Sequence, residues 1–147
     1  MIMNGSGVPP WLVWALLSAA FAAMTAILAK LGVQGVDSDI ATFVRTIVIV
    51  VVLGTLLALT GKLRALDPIG GRTVLFLVLS GLATGASWLC YFRALKLGDA
   101  ARVAPVDKLS VVFVAIFGVL VLGEHMSAKG WGGVVLIALG AVLVAVG

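Results

Sequence analysis

Charged residues and Gly/Pro clusters divide the chain into five apolar stretches, at Trp11 to Leu31, Ile40 to Thr60, Thr73 to Leu95, Ala101 to Leu122 and Gly130 to Val146. Each is about 20 residues, the length a helix needs to cross roughly 30 Å of hydrocarbon. None shows the period-2 alternation of a barrel strand. Within lipid a segment must also satisfy its own backbone groups, so the stretches are predicted to be transmembrane helices. The expected fold class is all-α: a polytopic membrane protein with five transmembrane helices in one bundle, in which residues 11–147 form a single domain after an N-terminal segment at 1–10. The first stretch is too long for a signal-peptide core and no Lys or Arg precedes it, so it is read as a span of the mature chain.

Composition agrees with that pattern. The 147 residues are 63% hydrophobic and 11% charged, with a mean hydropathy of +1.27. Too few charges are present to cover a soluble globule, whereas a lipid-facing surface requires none. The formal net charge of +4 reads as loop and interface charge rather than as a nucleic-acid footprint. Cys90 is the single cysteine, which leaves no disulfide framework and no zinc site within one chain. Trp11, Trp14, Trp88, Tyr91 and Trp131 fall near the span ends, where aromatic rings anchor helices at the membrane interface. Small residues recur at packing intervals, with Ala15, Ala19 and Ala23 in the first span, Gly81 and Gly85 in the third, and Gly133 and Gly140 in the fifth.

The chemistry of a familiar enzyme is missing. No phosphate loop of the Gly-x-x-x-x-Gly-Lys type, no His-Glu-x-x-His and no Gly-x-Ser-x-Gly elbow occurs. The expectation is a protein that is not an enzyme and binds no cofactor or metal, so that any transport it performs is secondary or passive.

The charges that remain are unevenly deep. With five spans, one side of the membrane takes Lys62, Arg64, Arg72 and Lys129 with Asp67 and Glu124. The other takes Lys30, Arg45, Arg93, Lys96, Arg102 and Lys108 with Asp37, Asp39, Asp99 and Asp107. Four basic residues against six is a weak bias. Setting aside Arg45, Arg93 and Lys108 as intramembrane groups reverses it, so orientation is poorly specified and insertion both ways round is a real alternative to a fixed orientation. An odd number of spans lets two oppositely inserted copies form the inverted repeat on which many secondary transporters are built.

On the six-cation side, Arg45 lies more than a turn into the second span, Arg93 inside the end of the third, and Asp107 with Lys108 inside the start of the fourth, behind Pro105. Charges within a span are costly unless they face the bundle interior, pair, or snorkel, and they mark functional sites by default. Pro105 removes one backbone donor and permits a bend that faces a cavity. The candidate substrate site is therefore Arg45, Arg93, Pro105, Asp107 and Lys108, with the rings of Trp88 and Tyr91 beside them. Asp107 is the first candidate for a coupled proton. The competing structural reading is that Lys30, Lys96 and Arg102 snorkel to headgroups and that Arg45 and Lys108 pair with Asp37, Asp39 or Asp107. Glu124 and His125, at the end of the fourth span, read as a helix-end acid and an interface residue.

An ordered set of short motifs then resembles the EamA-type domain of the drug/metabolite transporter superfamily, in particular its stand-alone five-helix members. The set is Lys30-Leu31-Gly32 closing the first helix, Phe43-Val44-Arg45 in the second, Trp88 through Leu95 in the third, Ala104-Pro105 with Asp107 to Ser110 in the fourth, and Gly123-Glu124 at its end. The resemblance covers the whole chain. It implies a multi-pass inner-membrane transporter of small metabolites whose central cavity is lined by helices one, three and four and is completed by a second copy or another subunit. The implied partners are a small-molecule substrate, the lipid bilayer and a homodimer mate, antiparallel if both orientations insert; nucleic acid is not among them. The superfamily's small four-helix drug exporters use an acid in helix one that has no counterpart here. The basic character of Arg45 and Lys108 points to a carboxylate-bearing substrate such as an amino acid. The alternatives are a flippase for an amphiphilic lipid-linked compound and a non-transporting subunit of a larger membrane complex.

Overall fold

The computed structural model describes residues 9–65 and 69–147, so the N-terminal segment up to residue 8 and Asp67 lie outside the described residues, as does the side chain of Arg64. The described chain runs α1 Pro10–Gly32, α2 Ser38–Leu59, a 3₁₀ turn at Lys62–Ala65, α3 Gly71–Leu97, α4 Ala100–Asp107, α5 Ser110–Leu122 and α6 Ala128–Val146. Taken with α4 and α5 as one span of Ala100–Leu122, five helical segments are long and apolar enough to cross a membrane. The protein is an all-α, multi-pass membrane protein. Most large hydrophobic side chains, Leu120 and Leu136 among them, stay exposed, as expected where the solvent of the helix surface is hydrocarbon.

The helices form two compact units, each described by itself: α1 with α4, α5 and α6, and α2 with α3. In the first unit α6 packs against α4 and α5. Its buried positions are small: Ala26 and Ala29 one turn apart on α1, Ala115 and Gly118 on α5, and Ala141 on α6. Small residues let membrane helices approach closely where no hydrophobic effect drives them together. Pro10 opens α1 at a position where the missing N–H costs nothing. Ser127 caps α6, its Oγ accepting from the Gly130 N–H at 3.2 Å. At the end of α5, Gly123 takes φ 69°, the left-handed conformation, and both its N–H and that of Glu124 donate to the Gly118 carbonyl. A glycine in the left-handed conformation is a common helix stop.

The fourth span is interrupted, and the position of the interruption refines the sequence expectation. A bend was expected at Pro105, which denies the Ala101 carbonyl its usual donor. The helix instead continues through Pro105 to Asp107. Lys108 N then donates to the carbonyls of Ala104 and Pro105, Leu109 N to Val106, and Val111 and Val112 to Lys108 and Leu109. The i to i−3 bonds among these tighten the chain locally into a 3₁₀-like joint.

In the second unit α2 packs on α3. Asp37 caps α2, its Oδ1 accepting from the N–H groups of Asp39 at 2.9 Å and Ile40 at 3.2 Å. Intramembrane hydroxyls are satisfied by carbonyls one turn back, Thr42 on Ser38 and Thr46 on Thr42, both at 2.8 Å. Phe92 and Leu95 of α3 are buried.

Candidate functional site

The second unit gathers the aromatic and basic residues singled out in the sequence. Trp88 and Phe92, four residues apart on α3, present one face to α2 because a helix returns to the same side every 3.6 residues. Arg45, the eighth residue of α2, lays its guanidinium over that face, 4.1 Å from the Trp88 ring centroid and 5.5 Å from that of Phe92. Arg45 is half-buried. Among the described residues no carboxylate pairs with it; of the acids that the sequence offered, Asp37, Asp39 and Asp107, the second is taken by Arg93 and the third by Lys108. Arg93 Nη2 reaches the two carboxylate oxygens of Asp39 at 3.1 and 3.0 Å, a charge-assisted tie from α3 to the first turn of α2.

Two further cations of this end also have partners. Lys96 Nζ donates to the Val36 carbonyl at 2.9 Å, and in the first unit Lys30 Nζ donates to the Gly98 carbonyl at 2.8 Å. Both had been expected to reach outward to headgroups. They sit in the last turns of α1 and α3, where positive charge opposes the helix dipole, and they fasten the neighbouring connections.

In the first unit, Lys108 Nζ pairs with Asp107 Oδ2 at 3.1 Å, the structural alternative given by the sequence. The pair sits on the 3₁₀-like joint, one turn beyond Pro105. Its acid and base offset one another. Tyr91 is half-buried on α3, between Trp88 and Arg93. Thus the structure brings Arg45 and Trp88 into contact within one unit, with Tyr91 and Arg93 on the same helical stretch of α3. Asp107, Lys108 and Pro105 belong to the other unit.

Sequence reasoning missed two members. Phe92 was quoted in a motif but not as a partner of Arg45, although its spacing from Trp88 places it one turn along the same face. Asp39 was assigned to Arg45 or Lys108 rather than to Arg93, and no spacing rule links residues on two different helices.

Outside the spans, Asp37 has a carboxyl held below the ordinary carboxylate range, chiefly by the Ile40 N–H and then by that of Asp39. At the far end of α5, Glu124 folds back toward the buried Gly118. A Cβ built on that glycine would lie 2.8 Å from Glu124 Oε2.

A family model described as "EamA-like transporter family" matches residues 9–146. The chain is 64% identical over 136 residues to a Sinorhizobium sp. protein named "Uncharacterized transporter in cobO 3'region", a match covering 92% of this chain and 96% of that relative. No solved structure matches.

Proposed function

The chain belongs to the EamA-like transporter family, and from that premise we propose that it is a secondary transporter moving a small carboxylate-bearing metabolite across the inner membrane by alternating access. The observation that carries the reading is the unequal neutralisation of the intramembrane cations. Arg93 is matched by Asp39 and Lys108 by Asp107, whereas among the described residues no carboxylate pairs with Arg45, which lies on the π faces of Trp88 and Phe92. A stacked guanidinium keeps its charge and leaves N–H donors in its plane, the geometry that accepts a carboxylate in bidentate fashion. Uncompensated charge within a span is expensive, and an anionic ligand relieves that cost. Lys108 had shared this role in the sequence reading; its pairing with Asp107 moves the weight to Arg45.

A single five-span chain is half of the ten-helix inverted repeat, and the weak charge bias between its ends supports an antiparallel homodimer as the working assembly. Counterflow in proteoliposomes tests the substrate reading. Labelled amino acids and organic acids should exchange, amines lacking a carboxylate should not, and Arg45→Ala should weaken the exchange. Exchange that survives Arg45→Ala unchanged overturns the role given to that residue.

A further inference from the structure

The two ends of the α2–α3 pair treat their cations differently. At the end already described, Arg93 is held by Asp39, Lys96 by the Val36 carbonyl and Arg45 by the Trp88 ring. At the other end the sequence of the connection carries Lys62, Arg64 and Arg72 against a single acid, Asp67. Lys62 and Arg72 are exposed, and among the described residues neither has a carboxylate or a carbonyl partner.

Helix lengths set the level at which these two charges stand. The 27 residues of α3 extend about 40 Å at 1.5 Å per residue, against roughly 30 Å of hydrocarbon and 40–45 Å with the headgroup layers included. Arg72, the second residue of α3, therefore falls among headgroups. At the end of α2, Gly61 takes φ 70° and turns the chain into the 3₁₀ turn that opens with Lys62. Lys62 thus stands at the same end of the pair as Arg72.

Arg72 is also placed where its own helix does not compensate it. The first turn of α3 holds no acid, and a helix dipole repels a cation at that end. The guanidinium lies 5.9 Å from the ring centroid of Phe76, one turn further along. A ring beneath it restrains the group beside the helix and leaves its in-plane N–H donors open, the geometry that takes a phosphate through two parallel hydrogen bonds. Lys62 adds a second, more mobile charge.

We propose that Lys62 and Arg72 form a binding site for the headgroup phosphate of an anionic phospholipid. The occupant follows from charge and from level: the connection is net positive, and at that depth the anions within reach are those of lipid headgroups. The inference is independent of the transport reading and of Arg45.

Thermal unfolding of the full chain in dodecyl maltoside tests it, with phosphatidylglycerol or phosphatidylcholine added at increasing mole fraction. Phosphatidylglycerol should raise the melting temperature, and phosphatidylcholine should not. The mole fraction that gives half the effect should rise about 5-fold for Lys62→Gln or Arg72→Gln and about 30-fold for the pair, from roughly 1 kcal/mol per basic residue at an anionic surface. Phe76→Leu, which keeps both charges and removes the ring, should weaken the effect less than Arg72→Gln. The control is Arg102→Gln, at an exposed cation in the first turn of α4, which should leave the response unchanged. Equal response to the two lipids overturns the site, as does a phosphatidylglycerol response that survives the double substitution. A loss as large for Arg102→Gln as for Arg72→Gln shows general attraction in place of a site. Stabilisation by free glycerol phosphate at the same concentration assigns the two cations to a soluble anion and overturns the lipid.

Discussion

The Arg45 guanidinium lies 4.1 Å from the Trp88 ring centroid, while the next arginine along the same end of the unit, Arg93, is bound by Asp39. Two cations at one end of a helix pair thus have different fates, one offset by an acid and the other stacked on aromatic faces. Hydrogen bonds to charged groups contribute about 1.5–3 kcal/mol, which corresponds to roughly 10- to 100-fold in affinity. Arg45→Ala is expected to weaken the apparent affinity for a carboxylate substrate by that factor. Arg45→Lys should fall between, since it keeps the charge but loses the planar fork and the stack. Trp88→Leu, which removes a cation–π contact of about 0.5–2 kcal/mol, should shift affinity less than Arg45→Ala. Concentration-dependent counterflow with each variant measures all three.

The Arg93–Asp39 pair is predicted to matter little for stability despite its geometry. The two side chains are 64% and 49% exposed, and pairs of that kind contribute about 0.2–1 kcal/mol. A double-mutant cycle with Arg93→Ala and Asp39→Ala, read by thermal unfolding in detergent, should return a coupling energy within that range. A coupling several times larger would mean that the pair is shielded from water in the assembled protein, which would make it a gate or interface contact rather than a surface tie.

What the sequence disclosed and what it withheld divide along the range of the forces involved. The spans were legible because lipid demands long apolar runs, and the predicted bounds fall within two residues of the observed helix ends. The helices begin slightly earlier than hydropathy alone suggests: α2 starts at Ser38 rather than Ile40 and α6 at Ala128 rather than Gly130. Asp37 and Ser127 cap those turns through hydrogen bonds, which an apolar count ignores. The break in the fourth span was foreshadowed by Pro105 but lands beyond Asp107, where the i to i−3 bonds collect. Which acid pairs with which base was not legible. Lys108 took its chain neighbour Asp107, as a local rule allows, but the choice of Arg93 over Arg45 by Asp39 depends on how α2 packs on α3.

The cap at Asp37 should make stability depend on pH in one direction. Its carboxyl is held low in the folded protein by the N–H groups of Ile40 and Asp39, so the folded state binds the proton less readily than the unfolded state. Its contribution is fully present above the ordinary carboxylate range and is lost as pH falls through the depressed folded value. Asp37→Asn keeps an acceptor at the cap and removes the titration. Thermal unfolding followed from neutral to acidic pH should therefore show a smaller loss for Asp37→Asn than for the parent, while Asp37→Ala is less stable than Asp37→Asn at neutral pH. Parallel pH curves for the parent and Asp37→Asn would mean that the carboxylate contributes nothing beyond its neutral isostere.

At the end of α5 the relationship between Gly118 and Glu124 makes a helix glycine depend on a distant acid. The atoms that a Cβ at Gly118 would meet within 4 Å all belong to the Glu124 carboxyl group, the nearest at 2.8 Å. Gly to Ala in a helix ordinarily gains about 0.8–1 kcal/mol. In the parent that gain should be cancelled by displacement of the Glu124 side chain. In a Glu124→Ala background Gly118→Ala should recover it, so the two substitutions couple by about 1 kcal/mol. Additive effects in thermal unfolding would show that Glu124 does not rest on Gly118.

Orientation in the membrane follows from the same few charges. The basic residues divide four to six between the two ends. Of the six, Arg93 and Lys108 are engaged with acids and Arg45 with rings, so they are poorly placed to hold a loop on one side through exposed charge. The insertion machinery counts basic residues in short loops near the span ends, and here those counts almost balance. The prediction is that both orientations coexist. With Cys90→Ala and a single cysteine at Leu63→Cys, in the exposed turn between α2 and α3, an impermeant thiol reagent should label about half the molecules in intact cells, and permeabilisation should expose the rest. Adding two lysines to that turn should drive the population to one orientation and, if the antiparallel dimer is the working unit, remove exchange activity with it. Complete labelling or complete protection in the parent means one fixed orientation, and a second copy would then have to assemble in parallel.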